Sequence, residues 1–279
     1  MKILVTGSEG YIGQHLCALL EKNDYEVHKL DYRFSEESPL PIHCYNADIR
    51  KPQDIRSCGV LAYEYDAIIH LAALTQVGES VNYPTAYYNT NINGTNWIRN
   101  IVKHNKFIFA STGSAEGMAS PYSISKRVAE DMLIEQEPDC TIFRFYNVIG
   151  SEGFAPTNPD GLFFKLIQSL ETGNFTIYGN DYNTKDGTAV REYVHVMDIC
   201  RALMLAITEP SINRIENLAY GDPKTVKEIV KSFLMSNKVT CNVDYGPRRP
   251  GDMESNYLKD PSPFMKRNYT DEELMKWNP

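Results

Sequence analysis

The sequence predicts an α/β fold built on a doubly wound, mostly parallel sheet, with a smaller α/β region toward the C-terminus. Three observations predict it. Short β-rich runs alternate with helical periodicities from residue 1 to about 146, the pattern of βαβ units. Several of those runs are continuously apolar, as strands covered on both faces are. The first strand also runs straight into a turn with three spaced glycines that opens a helix. In order, the strands are expected at Ile3–Thr6, Glu26–Leu30, Ile42–Tyr45, Ala67–Leu71, Phe107–Ala110 and Thr141–Phe145. The helices between them are expected at Ile12–Lys22, near Asp54–Cys58, at Thr85–Lys103 and at Ser123–Gln136.

After Asn147 the texture changes. Residues 151–161 and 179–188 are rich in Gly, Pro, Asn and Asp, and read as loops. Helices are expected at Leu162–Leu170, Asp198–Ile207 and Thr225–Met235, and strands at Phe175–Tyr178, Ala189–Val194 and Val239–Tyr245. A last helix opens at Thr270, whose spacing to Glu273 is that of a capping box.

The 279 residues carry 28 basic and 36 acidic side chains, a formal net charge of −8. A nucleic-acid binder normally shows a basic excess, so that class is excluded as an expectation. No run approaches the roughly 18 apolar residues of a membrane helix. The opening Met-Lys-Ile-Leu-Val-Thr-Gly is too short in apolar residues for a signal-peptide core, which makes a cytoplasmic location the expectation. Cysteines at 17, 44, 58, 140, 200 and 241 form no CxxC pair or compact disulfide framework and are expected as free thiols. The six histidines form no HExxH or comparable spacing, so no metal is expected.

The turn Gly7-Ser-Glu-Gly10-Tyr-Ile-Gly13 carries the first chemistry. A dinucleotide pyrophosphate must approach the backbone and sit at the positive end of the following helix, and glycines permit that approach. The second strand ends at Asp31, 18 residues past Gly13. An acid there accepts bonds from ribose hydroxyls and repels a 2′-phosphate, which favours NAD, while Arg33 nearby leaves NADP open. Asp48 is placed to meet the adenine edge or to be a surface loop acid.

Tyr122 and Lys126 form a YxxxK pair, which on a helix shares one face. The same spacing occurs at Tyr25/Lys29, across a strand, and at Tyr220/Lys224, across Gly221 and Pro223. Only Tyr122/Lys126 opens a helix after a parallel strand, at the edge where α/β ligands bind. A nearby ammonium favours the phenolate, which can then take a proton from a substrate hydroxyl. Ser111 and Thr112, closing the preceding strand, offer hydroxyls to relay it.

Taken together, TGSEGYIG at 6–13, HLAALTQVGES at 70–80, NINGT at 91–95, YSISK at 122–126, FRFYNVIG at 143–150, YGNDYNTKDGTAVREYVHVMD at 178–198 and RRPGD at 248–252 resemble the UDP-glucose (UDP-galactose) 4-epimerases. These belong to the extended short-chain dehydrogenase/reductases. The resemblance implies a Rossmann-type domain over 1–149, with 188–220 returning to it, and a substrate-binding region over 150–187 and 221–279. It implies Thr112, Tyr122 and Lys126 as the catalytic set. It places NAD on Gly7, Gly10, Tyr11, Ile12, Gly13, Asp31, Asp48, Ile49, Leu71, Ala72, Ala73, Asn91, Tyr122, Lys126 and Tyr146. Thr112, Asn147, Arg191, Arg249 and Asp252 would hold a UDP-hexose, the two arginines around its diphosphate. A homodimer is also implied, through the helices at Thr85–Lys103 and Ser123–Gln136. Tyr87, Tyr88 and Trp97 would either supply its apolar surface or face the protomer's own core.

The chemistry so implied is epimerisation. Tyr122 takes the sugar O4 proton while C4 passes hydride to NAD, and the 4-keto sugar turns over before hydride returns. Two departures accompany it: only nine residues separate Thr112 from Tyr122, and LFFKLIQ after Gly161 lacks the paired asparagines of the pattern. Asn256 stands where 2-N-acetyl sugars are gated. Alternatives are a nucleotide-sugar dehydratase, a 4-reductase, or a non-catalytic dinucleotide sensor. Dehydratases carry an acid just after the catalytic Thr, whereas Thr112 is followed by Gly113 and Ser114, with Glu116 the nearest acid.

Overall fold

The protein is described by a computed structural model covering residues 1–34, 40–210, 214–249, 252–258 and 262–277. Pro250 and Gly251 of the RRPGD motif lie outside the described residues. The first part of the chain forms β1 (Lys2–Thr6), α1 (Tyr11–Lys22), β2 (Glu26–Leu30), β3 (Cys44–Tyr45), α2 (Pro52–Ser57), β4 (Ala67–His70), α3 (Val77–Asn82), α4 (Pro84–Tyr88), a π-helical turn (Asn89–Gly94), α5 (Thr95–Ile101), β5 (Phe107–Thr112), α6 (Pro121–Gln136) and β6 (Cys140–Phe145). It continues through β7 (Asn147–Ile149), α7 (Leu162–Thr172), β8 (Asn174–Tyr178), β9 (Val190–Arg191), β10 (Tyr193–His195), α8 (Val196–Thr208), β11 (Arg214–Leu218), β12 (Lys224–Thr225), α9 (Val226–Ser236), β13 (Asn242–Gly246), β14 (Ser255–Asn256) and α10 (Asp271–Met275).

Seven strands make one sheet in the order β11-β6-β5-β4-β1-β2-β3. β1 pairs in parallel with both β2 and β4, and β4 with β5. The order reverses between β1 and β4, so the chain leaves both strands at the same carboxyl edge, where open α/β sheets bind ligands.

Residues divide into two compact units, Met1–Arg144 with Cys200–Glu216, and Phe145–Ile199 with Asn217–Pro279. The first buries Leu4, Leu30, Ile68, Phe107, Phe109 and Ile142 around its sheet. The second has its own core of Phe163, Leu166, Phe175, Ile177, Tyr193, Ile229 and Phe233. Its β8 and β13 pair in parallel.

Four elements differ from the sequence expectation, each for a local reason. The strand expected at Ile42–Tyr45 is only Cys44–Tyr45, because His43 has a left-handed backbone (φ 64) and Ile42 is exposed. The helix expected at Thr85–Lys103 is broken into α4, a π-helical turn and α5. The wider turn swings Asn91 inward, and Gly94 packs so closely that a Cβ there would lie 2.7 Å from Ile49. The strand expected at Ala189–Val194 changes partners at Glu192: β9 pairs with β12 and β14, and β10 with β7. The strand expected from Val239 starts only at Asn242, after the chain turns through a left-handed Lys238 (φ 54). β11 has only Ile215 and Leu218 as apolar residues and lacks the continuous apolar run that marks β1, β4 and the first part of β5.

Candidate active site

The glycine turn sits at the carboxyl end of β1. Gly7 has φ 72, and a Cβ there would stand 2.7 Å from the Ala72 nitrogen. A Cβ on Gly13 would fall 2.2 Å from the Gly7 carbonyl oxygen. Both positions therefore exclude any larger residue. Gly10 caps α1 without a side-chain hydrogen bond, so Tyr11 and Ile12 open a helix whose first N–H groups have no capping side chain. The buried Ser8 hydroxyl has no hydrogen-bond partner among the described residues. Backbone that can be approached closely, at the positive end of a twelve-residue helix, is what an anionic diphosphate requires.

Asp31 closes β2 and is buried. It accepts from the Glu9 backbone N–H at 3.0 Å, and from the backbone and Nε of Arg33 at 3.0 and 3.1 Å. The acid is thus tied to the glycine turn and ion-paired with the arginine expected near it. Asp48 pairs with Arg50, Nη2 to Oδ2 at 2.6 Å. Burial opposes its ionisation, but the Arg50 bonds outweigh that and hold its carboxyl below the usual range. Leu71, Ala72 and Ala73 follow β4 and are half-buried, while Ile49 is buried. The Asn91 amide braces the loop after β4: its Oδ1 accepts from Leu74 N at 2.9 Å, and its Nδ2 donates to Leu74 O at 3.0 Å and Ser125 Oγ at 2.9 Å.

β5 ends at Thr112, and α6 opens at Pro121 with a capping box of Ser120 and Ser123. Thr112 Oγ1 lies 3.1 Å from Ser114 Oγ, and the Thr112 hydroxyl favours the Tyr122 phenolate. The Tyr122 ring meets Tyr87 edge-on at 6.3 Å. Lys126, buried, donates to Ala110 O at 2.8 Å and lies 4.7 Å over the Phe109 ring. Tyr122 and Lys126 thus stand one turn apart on α6, and across the short link Thr112 still acts on Tyr122.

Their electrostatics differ from the expectation of a phenol lowered by the ammonium. Burial pushes Tyr122 up to about 12, with the Thr112 bond opposing. Burial pushes Lys126 down to about 7, with Glu130 opposing. Burial, and then Lys126, push the neighbouring His70 down to about 3, so this ring is neutral between the Thr6 and Thr95 hydroxyls at 2.7 and 3.1 Å. Sequence reading does not single out the group one turn beyond Lys126. There the buried Glu130 accepts from Arg144 Nε at 2.9 Å and Nη2 at 2.7 Å, and from Ser111 Oγ. The available signal is the i,i+4 spacing of Lys126 and Glu130.

The remaining expected residues lie in the second unit. Asn147 Nδ2 donates to Glu192 O at 2.9 Å, and Tyr146 OH to Asn217 Oδ1 at 3.4 Å. Arg191 Nη2 pairs with Asp252 Oδ1 at 3.0 Å, and the Arg249 guanidinium lies 4.2 Å over the Tyr178 ring. Tyr182 and Tyr193, whose buried hydroxyls have no hydrogen-bond partner among the described residues, feel the Arg191 and Asp252 charges. Sequence spacing does not mark these tyrosines. His195 stacks on Tyr269 at 3.5 Å.

Among the described residues, Glu26, His28 and His43 bring ligand-type atoms within 4.8 Å of one another. The two rings stack at 4.0 Å with planes 25° apart, so their in-plane lone pairs run nearly parallel instead of converging on one ion. Lys2 Nζ, 3.6 Å from the same Glu26 oxygen, supplies the positive charge there.

The model of the NAD dependent epimerase/dehydratase family matches residues 3–219. The chain is 32% identical over 301 residues to UDP-glucose 4-epimerase 2 of Oryza sativa subsp. japonica, covering 90% of this chain and 73% of the relative. It is 30% identical over 297 residues to UDP-glucose 4-epimerase of Bacillus subtilis (strain 168), covering 91% and 87%. Among solved structures, the UDP-glucose 4-epimerase of Bifidobacterium longum in complex with NAD+ and UDP superposes with a TM-score of 0.83 at 26% identity, covering 99% of this chain and 96% of that one. The UDP-Glc/GlcNAc 4-epimerase of Campylobacter jejuni gives 0.74 at 28% identity, covering 98% and 96%.

Proposed function

The chain belongs to the NAD dependent epimerase/dehydratase family, and on that premise we propose that it interconverts UDP-glucose and UDP-galactose, or their N-acetyl forms, through a transient 4-keto sugar. The observation that carries this reading is Tyr122 and Lys126 one turn apart on α6, after a β5 that ends at Thr112 in the sheet that also carries the glycine turn. Relatives aligned over nine-tenths of the chain are UDP-glucose 4-epimerases.

NAD, when bound, supplies the redox chemistry by accepting hydride from the sugar C4 and returning it to the other face. Gly7, Gly10 and Gly13 let its pyrophosphate reach the backbone, and Asp31 takes its ribose hydroxyls. Tyr122 removes the O4 proton, directly or through Thr112, and gives it back when the opposite configuration forms. The positive charge of Lys126 offsets the phenolate's cost in this buried setting. In the second unit, Arg191 and Arg249 offer planar N–H forks to the substrate diphosphate, while Asn147 and Asp252 meet the sugar nucleotide. Asn256 is the residue we place at the C2 substituent.

Elimination chemistry is disfavoured by the residues that come after Thr112. The next hydroxyl, Ser114, bonds Thr112 itself, and Glu116 is exposed. The buried Asp31 disfavours a 2′-phosphate and with it an NADPH-dependent reductase. Incubation with UDP-galactose, without added reductant and followed by NMR, separates these chemistries by product. UDP-glucose is expected; a 4-keto-6-deoxy sugar, or product only with NADPH, would overturn the reading.

We further propose a homodimer. Tyr87 faces the protomer's own interior, its hydroxyl donating to Glu79 at 2.7 Å, and Trp97 packs on the first core. The apolar surface comes instead from the exposed Val77, Val81, Tyr83 and Val128 on and beside α3 and α6. Among the described residues no helix is long and apolar enough to cross a membrane, which agrees with a cytoplasmic place for an enzyme of nucleotide sugars.

A further inference from the structure

The Lys126 ammonium is a cation with little solvation. It is 3% exposed and, among the described residues, donates one of its three N–H groups, to Ala110 O at 2.8 Å. Burying a charge is costly unless opposite charge lies close by. That charge is on the same face of α6, one turn on, at Glu130. Its carboxylate is fully buried and gripped from two strands, by Arg144 on β6 at 2.9 and 2.7 Å and by Ser111 on β5. Ser111 precedes Thr112 directly, so the grip also ties α6 to the strand end that carries Thr112.

We propose that Glu130, clamped by Arg144 and Ser111, is a positioning residue: it anchors the Lys126 turn of α6 to β5 and supplies the negative charge that supports the Lys126 ammonium. The proposal rests on the roles given to Tyr122 and Lys126 above. Besides Glu130, the groups facing Lys126 are His70 on β4 and the Phe109 ring and Ala110 carbonyl on β5, with Tyr122 one turn back on α6 and Arg144 behind Glu130. His70 is neutral, which leaves Glu130 as the anion. Burial drives Lys126 toward neutrality, and Glu130 is the group that opposes it. A buried Glu–Arg pair that served only to join helix and strand would leave the Lys126 titration unchanged, and this is the difference the test reads.

The test is the titration of Lys126 in the full chain carrying its dinucleotide, with ε-labelled lysine followed by NMR and the signal assigned by its loss in Lys126→Met. In Glu130→Gln the titration is expected to move down by about one pH unit or more, the size of losing a close opposite charge. The kcat for UDP-galactose should fall most at pH values between the two titrations while KM holds within about two-fold, since a charge-support role acts on the proton transfer rather than on sugar binding. Glu130→Gln leaves Arg144 buried without its carboxylate and threatens the fold. The double variant Glu130→Gln/Arg144→Gln removes that strain and must still shift Lys126 down, by less than the single variant because the Arg144 positive charge leaves as well. A folded variant of either kind with Lys126 titrating as in the parent overturns the inference. The NMR readout needs no turnover, so an inactive parent with a shifted Lys126 would count against the epimerase reading and not against this one.

Discussion

Tyr122 and Lys126 are moved in opposite directions by one cause. Burial disfavours charge, so the phenol rises to about 12 and the ammonium falls to about 7, and both groups lean toward their neutral forms. The pairing of these two residues was legible from the YxxxK spacing at a strand-to-helix edge. Its electrostatics were not, because the burial arises only in the fold, where Tyr87 meets the Tyr122 ring and Phe109 and Ala110 meet Lys126. The consequence is measurable in the protein stripped of dinucleotide. Between pH 7 and the ordinary lysine value of 10.5, the unfolded chain holds a proton on Lys126 that the folded chain lacks. Stability at this position therefore increases with pH across that window, with a slope approaching about 1.4 kcal/mol per pH unit. Urea unfolding of parent and Lys126→Met at pH 6.5, 8 and 9.5 should show the parent gaining on the variant as pH rises. A difference that stays flat would contradict the burial argument. Asp31 was legible from its distance to Gly13, whereas its bond to the Glu9 N–H, made by the turn's own geometry, was not.

Among the elements, the inner strands announced themselves as unbroken apolar runs because both faces are covered. β11 did not, since Ile215 and Leu218 are its only apolar residues. The π-helical turn was hidden for a different reason. Asn89–Gly94 has helical neighbours on both sides, and only the close approach of Gly94 to Ile49, together with the Asn91 bonds to Leu74 and Ser125, accounts for the extra width. Glu192 hid the division between β9 and β10, its carboxylate accepting from Tyr220 N and Asp222 N at 2.9 and 3.1 Å. The glycine turn is the element most open to test. In Gly13→Ala the added carbon lands 2.2 Å from the Gly7 carbonyl oxygen, and backbone must move to admit it. The expected cost is about 1–3 kcal/mol. The dinucleotide should also be lost, seen as a fall in the 260/280 nm absorbance ratio after gel filtration. Retained dinucleotide in Gly13→Ala would show that the turn tolerates more room than its packing indicates.

At the scale of the molecule, a net charge of −8 coexists with the guanidinium groups of Arg191, paired with Asp252, of Arg248, paired with Asp181, and of Arg249, over the Tyr178 ring, and on the proposed function these are the donors an anionic substrate would meet. The second unit was less legible than the first because its elements are short and its strands change partners within two or three residues. The proposed homodimer predicts a sedimentation mass of twice the 31.7 kDa chain, reduced to the monomer's by charge on the exposed apolar face, as in Val81→Glu/Val128→Glu. A parent that sediments as a monomer would remove the dimer from the account. The central claim is that Tyr122 moves the proton in a C4 epimerisation. The most direct measurement compares the rate of UDP-glucose formation from UDP-galactose in the parent and in Tyr122→Phe, each with its dinucleotide content matched. The account predicts conversion by the parent and a loss of about 10²–10⁴-fold in the variant, the usual worth of a positioned acid/base group. Conversion by Tyr122→Phe at the parent's rate would contradict it.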